Sequence, residues 1–368
     1  MGRDGRHAAQ LLPLPVSLIG ICRNVFQGVW NDICKGMHCS AGAASGRYDC
    51  SMSFSAILLA LLLEQARPLT RGNPVHAALR AWVRWASRNF DAGRPHHGWL
   101  AWGFAVGAPT LISLAVHWLL VATLGWLAAV IWSVALLYVT LGFRQFSHHF
   151  TEIRDALESG DEPQARELLA QWQQVDASAL PRSEIVRHVI EHSVIEAHRH
   201  VFGVLGWFSV LAAFGLGPAG AVLYRLSEFV ARYWKHHSKT HYQPVSPALQ
   251  DVAASAWYVI DWLPARITAL GFAVVGSFEE TIDAWRNYAQ RAGRTNDGVI
   301  LSATSGAVNV SLGGAPLRSS ESPQDGGATS PGQQPELAHL RSIVGLVWRS
   351  VVMWMLLLAL LTLARLLG

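Results

Sequence analysis

The stretch Pro95–Phe143 reads PHHGWLAWGFAVGAPTLISLAVHWLLVATLGWLAAVIWSVALLYVTLGF and contains no Asp, Glu, Lys or Arg over 49 residues. One α-helix needs about 20 apolar residues to cross the hydrocarbon core of a bilayer. The stretch is therefore long enough for two crossings. It predicts a pair of membrane helices, Trp99–Leu120 and Val121–Gly142, joined by a tight turn.

The composition of the whole chain agrees with a membrane protein. Of the 368 residues, 51% are hydrophobic and only 15% are charged, with a mean hydropathy of +0.25. Soluble domains carry about 25% charged residues, so a water-soluble enzyme and a disordered chain are both disfavoured. The 29 Lys and Arg residues form no dense run. They are better explained by basic loops beside membrane spans than by a nucleic-acid partner.

Further apolar segments extend this pattern. Val201–Tyr224, Val252–Gly276 and Ile343–Leu363 are each long enough to enter the membrane, whereas Phe54–Leu63 is too short to cross alone. The predicted fold class is all-α: a polytopic integral membrane protein with about four to five membrane-embedded helical segments. It includes a helical cytoplasmic loop and a helix broken by Pro and Gly.

Two of these segments leave alternatives open. Gly215, Gly217 and Pro218 interrupt the second half of Val201–Tyr224, so this segment either crosses once or folds back as a hairpin. In Val252–Gly276, Asp261 and Arg266 flank a proline that is expected to break the helix. The two charges predict a buried pair, an arginine that meets an anionic ligand, or a shallow turn at the membrane interface.

The chain is expected to divide into eight parts. All four Cys residues precede residue 52, and the apolar texture starts after Met52, which favours an upstream start codon as the origin of the first part. The later parts are a basic loop with its apolar start, the hairpin, a soluble helical loop, a membrane region, a surface helix with a Gly-rich loop, a Pro-rich disordered linker and a final helix. The ranges are 1–51, 52–98, 99–142, 143–200, 201–276, 277–314, 315–341 and 342–368.

The charges in the loops predict the orientation in the membrane. Six Arg residues lie in 64–98 against two acidic residues, which places this loop in the cytoplasm. The predicted location is the inner (plasma) membrane, crossed several times.

The cytoplasmic loop 143–200 reads as three helices. Asp161 and Gln164 form a capping box, and Ser159-Gly160 ends the preceding helix. The third helix carries His188-Val-Ile-Glu-His192, a pattern seen in one class of zinc peptidases. A third ligand cannot be assigned, so no metal site is predicted, and a solvated or partner-facing helix surface is the favoured interpretation. The following Glu196-Ala-His-Arg-His200 indicates either a phosphate site or an interfacial anchor.

Several motifs in order resemble one family. They are Arg71–His76, Ala156-Leu157 with Gly160-Asp161 and Ala165-Arg166, Gly217–Ala221 with Tyr224-Arg225, Pro264–Arg266, and Gly306-Ala307 with Leu312–Gly314. Together they resemble the CobD/CbiB membrane proteins of cobalamin biosynthesis, over nearly everything after Met52. Members form an amide bond between adenosylcobyric acid and an aminopropanol or its phosphate, using ATP.

The chain also departs from that pattern. Where the family has G-R-D-T, this chain keeps only Asp176, and the family's E-N pair becomes Glu196-Ala197 followed by His200. The family's acidic pair before P-A-R falls on Trp257-Tyr258. These departures, with Asp261-Trp-Leu-Pro-Ala-Arg266, are similar to the related AmpE proteins, which are membrane signalling modulators.

Two hypotheses follow from the resemblance. In the first, the chain is an ATP-dependent synthase with Glu196 and Asp176 as catalytic residues and ATP and Mg as cofactors. The substrate-binding residues would be Arg266, Asp261, Arg225 and His200. In the second, the same fold is a non-catalytic regulator that recognises a ligand or partner. The implied partners are the lipid bilayer and either a corrinoid substrate or another membrane protein.

Overall fold

The computed structural model describes residues 45–66, 74–91, 93–173, 176–237, 245–290, 295–313 and 330–367. Nearly all of these belong to the unit Asp49–Gly368, which is the subject of the description below. Most of the expected extension 1–51 and residues 315–329 of the expected linker lie outside the described residues.

Within these ranges every regular element is a helix. Their bounds are α1 Ser45–Ala66, α2 Pro74–Phe90, α3 Pro95–Trp102, α4 Ala108–Leu124, α5 Trp126–Thr140, α6 Phe143–Glu158, α7 Glu162–Gln173, α8 Arg182–Ala197, α9 Gly203–Ala213, α10 Ala219–His237, α11 Pro247–Val275, α12 Phe278–Ala289, α13 Asn296–Val308 and α14 Leu337–Leu367. Wider π-type turns, Gly103–Gly107 and His198–Phe202, join α3 to α4 and α8 to α9.

Among the described residues, three helices are long and apolar enough to cross a membrane, namely His96–Leu124, Pro247–Val275 and Leu337–Ala364. Shorter apolar helices lie at Phe54–Ala66 and Trp126–Thr140. The prediction of an all-α polytopic membrane protein is confirmed. The turn of the first hairpin lies at Gly125, four residues after the predicted junction, because the positive φ of 81° required there suits glycine.

The segment 201–224 forms a hairpin and not a single crossing helix. Helix α9 ends at Ala213, Gly215 and Gly217 adopt positive φ angles of 74° and 55°, and α10 returns from Ala219. Gly203 lies against Tyr224, and Gly220 lies against Trp207. These contacts pair the two helices in antiparallel order. The small residues allow the helices to approach closely, as is common between membrane helices.

Helix α11 runs through Pro264 without a break, so the expectation of a broken helix holds at 214–218 but not here. A proline inside a helix removes the N–H that would bond to the carbonyl four residues earlier, at Ile260. In this protein the indole Nε1 of Trp207 donates to that carbonyl at 2.9 Å. The tertiary contact thus replaces the missing backbone hydrogen bond.

We expect Trp207→Phe to destabilise the protein by about 1–2 kcal/mol, because the partly buried Ile260 carbonyl loses its donor. In that background Pro264→Ala should recover part of the loss, since alanine restores the backbone N–H. Unfolding by SDS titration in mixed micelles, measured for both single variants and the double variant, tests this coupling. Additive effects would show that Trp207 does not serve the Ile260 carbonyl.

The helices in 143–200 follow their local signals. The carboxylate of Asp161 accepts from the backbone N–H of Gln164 at 3.0 Å, and Gly160 has a φ of 82°. Both features were predicted as the junction of α6 and α7. The third predicted helix is longer than expected, because α8 continues through the π-type turn into α9.

The described end of the expected disordered linker is ordered. Gln333 donates to Asn309 and accepts from Ser311, at 3.1 and 2.8 Å, and Ser330 bonds to Leu312. Helix α14 then starts at Leu337 and not at residue 342. The composition of 330–336 resembles a linker, but the backbone of Asn309–Leu312 after α13 supplies hydrogen-bond partners that composition cannot reveal.

Candidate functional site

The π-type turn at His198–Phe202 lies at the centre of a polar cluster within mostly apolar helices. A π-type turn inserts an extra residue into a helix and is frequent at functional sites. Here it aims consecutive side chains at different neighbours. His198 contacts α10 and α11, Arg199 contacts α13, and His200 contacts Glu196.

His198, Tyr224 and Asp261 form a buried hydrogen-bonded triad. His198 Nε2 lies 2.8 Å from Asp261 Oδ1, and the Tyr224 hydroxyl donates to the same oxygen at 2.8 Å. His198 Nδ1 lies 2.9 Å from the hydroxyl of Thr268, which is about two turns beyond Asp261 along α11. His198 and Asp261 are fully buried. A charge at this depth is costly unless it is paired, and the triad supplies the pairing.

Asp261 and Arg266 do not pair with each other. Five residues apart on a helix, they lie about 140° apart around its axis. The guanidinium of Arg266 stacks on Trp262 at 4.0 Å and donates to the side-chain oxygen of Asn296 at 3.2 Å. The alternative of a mutual buried pair is therefore wrong.

A second chain of charges links α8 to α10. Glu196 Oε2 lies 2.8 Å from His200 Nε2, and Glu196 Oε1 lies 3.9 Å from Arg232. Arg232 also contacts Glu228 at 3.3 Å, and Glu228 is 2.8 Å from Arg225. Burial disfavours the charged form of Glu196, but the hydrogen bond from His200 and the nearby positive charges outweigh it. The pKa of Glu196 is held well below its usual range.

Two arginines reach the start of α13. Arg199 donates to Asp297 at 2.7 Å, and Arg266 reaches Asn296. The hydroxyl of Thr295 caps the helix by accepting from the N–H of Gly298 at 3.0 Å. The first turn of α13 is therefore tied to both the π-type turn and α11.

Four of the six predicted site residues belong to this polar cluster through direct contacts: Glu196, His200, Arg225 and Asp261. Arg266 joins it through α13. Asp176 lies elsewhere: it is exposed, and its carboxylate accepts from the N–H of Ser178 in its own loop at 3.0 Å. That bond lowers its pKa. Among the described residues no contact connects Asp176 to the cluster, and its catalytic role stays a prediction.

The pattern His188–His192 is engaged in packing. Arg187 donates to the carbonyl of Gly313, while Glu191 accepts from the N–H of the same residue, at 2.6 and 2.7 Å. His192 stacks edge-on against Trp172. In the part of the chain that the structure describes, no group of three or more His, Cys, Asp or Glu residues is arranged to hold a metal ion.

Sequence reasoning missed several members of the cluster as site residues. Glu228 lies three residues after Arg225 and four before Arg232, a spacing that signals pairing on one helix face. Tyr224 and Thr268 carry no such local signal. Their partners lie 37 and 70 residues away in the chain, so only the tertiary structure identifies them.

Comparison with known proteins places the chain. The family model described as CobD/Cbib protein matches residues 53–347. A cobalamin biosynthesis protein CobD from Stutzerimonas stutzeri is 32% identical over 318 residues, which cover 83% of this chain and 96% of the relative. A protein of the same name from Chromobacterium violaceum is 33% identical over 190 residues, 51% of this chain and 57% of its own length. No solved structure matches the chain. Because the family model covers most of the sequence, the chain belongs to the CobD/CbiB family of cobalamin biosynthesis.

Proposed function

We propose that the protein forms an amide bond in cobalamin biosynthesis, joining a corrinoid carboxylate to an aminopropanol or its phosphate with ATP. The observation that carries the proposal is the cluster of buried charges around Glu196, at the point where α8 passes into α9. Similarity to cobalamin biosynthesis proteins along the chain supports it. Buried charges in apolar helices are costly and are usually kept for function.

The cluster suits an anionic substrate. Four arginines lie in or beside the cluster: Arg199, Arg225, Arg232 and Arg266. They contact three carboxylates, those of Asp297, Glu228 and Glu196, so positive side chains are in excess. Arginine can bind a carboxylate or a phosphate through two parallel hydrogen bonds. ATP would enter as a complex with Mg²⁺, since one or two carboxylates and the phosphates commonly hold that ion together. No step is assigned to a metal held by the protein alone.

Glu196 would bind and orient the amine substrate. Its low pKa keeps it ionised, which makes it a weak base but a good partner for an ammonium group. His200 and Arg232 hold the carboxylate in place. Arg225 and Arg266 would bind the acidic groups of the substrates, and Asp261 would act by positioning His198 and Tyr224 and not by touching substrate.

We also propose that the protein crosses the inner membrane several times. The Arg-rich stretch 64–98 would face the cytoplasm, where ATP is available. The soluble helices α6, α7 and α8 would lie on the same side.

Complementation tests the proposal. A strain that lacks the amide-forming enzyme should grow on adenosylcobyric acid when it carries this protein starting at Met52. Growth should disappear with Glu196→Ala and persist with Glu279→Ala, an exposed carboxylate on α12. Membrane levels of each variant must be equal by immunoblot. Growth with Glu196→Ala at equal levels would refute the assigned site.

A non-catalytic regulator, similar to AmpE proteins, is the second candidate. The observation that favours it is that Glu196, Glu228 and Asp261 each already contact a basic or hydrogen-bonding side chain within the protein. Absence of growth with the unaltered, correctly inserted protein would support this candidate and contradict the first.

A further inference from the structure

Helix α2 carries three arginines on one face. Arg80, Arg84 and Arg88 follow each other at intervals of four residues, and all three are exposed. Residues four apart lie above one another on a helix, so the three side chains form a stripe. The opposite face is buried through Val83 and Ala86, both fully inaccessible. We call Arg80, Arg84 and Arg88 the arginine stripe.

Three aromatic side chains, Trp82, Trp85 and Phe104, lie beside the arginine stripe, and we call them the aromatic ledge. Trp85 and Phe104 are 46% and 36% exposed, and their ring centroids lie 5.7 Å apart. Trp82 stacks on both and donates from its indole Nε1 to the carbonyl of Ala105 at 3.1 Å. Because Phe104 and Ala105 belong to the candidate span His96–Leu124, α2 is fixed against a membrane helix.

The length of that span places the ledge near the membrane surface. The 29 residues extend about 43 Å, which exceeds the hydrocarbon core by about 13 Å. Phe104 lies about 12 Å along the helix from His96. The other end turns tightly at Gly125 between the exposed apolar residues Leu124 and Trp126, which favours placing the excess at the His96 end. Phe104 and Trp85 would then lie at the edge of the hydrocarbon, where amphipathic aromatic rings are enriched.

The end of α2 is tied to a second candidate span. Asp91, the acidic residue nearest to the arginine stripe along the chain, accepts from the backbone N–H and the hydroxyl of Ser246 at 2.9 and 2.6 Å. This contact joins the end of α2 to the start of α11. Together with the packing of Trp82 on Phe104, it holds the exposed arginine stripe beside two candidate spans.

We propose that α2 is an interfacial helix whose arginine stripe binds the headgroups of anionic phospholipids in the membrane that the protein spans. Charge complementarity and continuity with the first spanning helix identify this ligand. Basic residues next to an anionic leaflet contribute about fivefold each to lipid binding, which corresponds to about 1 kcal/mol.

Lipid selection from a defined mixture tests the proposal. The full-length protein is purified in a mild detergent and incubated with phosphatidylglycerol and phosphatidylcholine at equal concentration. Native mass spectrometry then counts the bound lipids of each kind. We expect preferential binding of phosphatidylglycerol, which decreases in high salt because exposed charges are screened. Replacing all three stripe residues by Gln should reduce the preference by at least about fivefold.

Two variants serve as controls. Replacing the three stripe residues by Lys keeps the charge and should keep most of the preference. Replacing Arg154, Arg286 and Arg341 by Gln removes the same charge from other helices and should leave the preference unchanged. An unchanged preference in the stripe Gln variant, or an equal loss in the second control, would overturn the proposal. Competition by inorganic phosphate at constant ionic strength would instead indicate a soluble ligand and would also overturn it.

Discussion

Replacing Asp261 by Ala should lower the free energy of unfolding by about 2–6 kcal/mol, because two buried groups lose their shared acceptor and each costs about 1–3 kcal/mol when it is left unsatisfied. His198 would lose its acceptor at 2.8 Å, and the Tyr224 hydroxyl would lose the same oxygen. Neither can turn to water. The loss should be visible in SDS-induced unfolding and as a large decrease of the thermal midpoint in nanodiscs.

Asp251→Ala is the matched control, since this residue is an exposed carboxylate on the same helix. Its effect should stay within about 0.5 kcal/mol. Replacing His198 and Asp261 together by Leu should cost less than the sum of the two single replacements, because neither residue of the pair is then left buried without its partner. Equal effects of Asp261→Ala and Asp251→Ala would show that the triad does not stabilise the fold.

The second large effect is expected at Gly220. A Cβ atom there would lie 2.1 Å from the backbone carbonyl oxygen of Trp207, so α9 and α10 would have to separate. Overpacking usually costs about 1–3 kcal/mol, and the cost should reach the upper end here because backbone atoms cannot rotate away. Separation would also move Trp207 away from Ile260. Gly220→Ala should therefore reduce both stability and complementation.

Gly206 provides the control on α9, because a Cβ atom there would meet no heavy atom within 4 Å. Gly206→Ala should be neutral or stabilise the protein by up to about 1 kcal/mol through its higher helix propensity. Both variants are compared by the same SDS titration. Similar stabilities of the two variants would contradict the close approach of α9 and α10.

Sequence signals that act over only a few residues predicted the helices well. The uncharged run Pro95–Phe143 predicted two apolar helices, of which His96–Leu124 is long enough to cross a membrane and Trp126–Thr140 is shorter. Asp161 with Gly160 marked the junction of α6 and α7. Hydrophobic length, caps and glycine turns depend on nearest neighbours in the chain. For this reason they can be read without a structure.

The site was predicted only in part. Glu196 and His200 were predicted as residues of one site, and the structure joins them at 2.8 Å because residues four apart on a helix share a face. The partner of Asp261 could not be predicted, since His198 lies 63 residues earlier in the chain. Pro264 was misread for the same reason: its effect depends on Trp207, a residue of another helix.

The sequence by itself determined that this is a helical membrane protein of the CobD/CbiB family, because apolar length, composition and ordered motifs are properties of the chain. Only the tertiary structure decided which charged side chains contact each other and that α11 stays helical through Pro264. It also decided that 201–224 folds back as a hairpin. Those outcomes depend on contacts between residues far apart in sequence, whose free energy appears only when the helices pack.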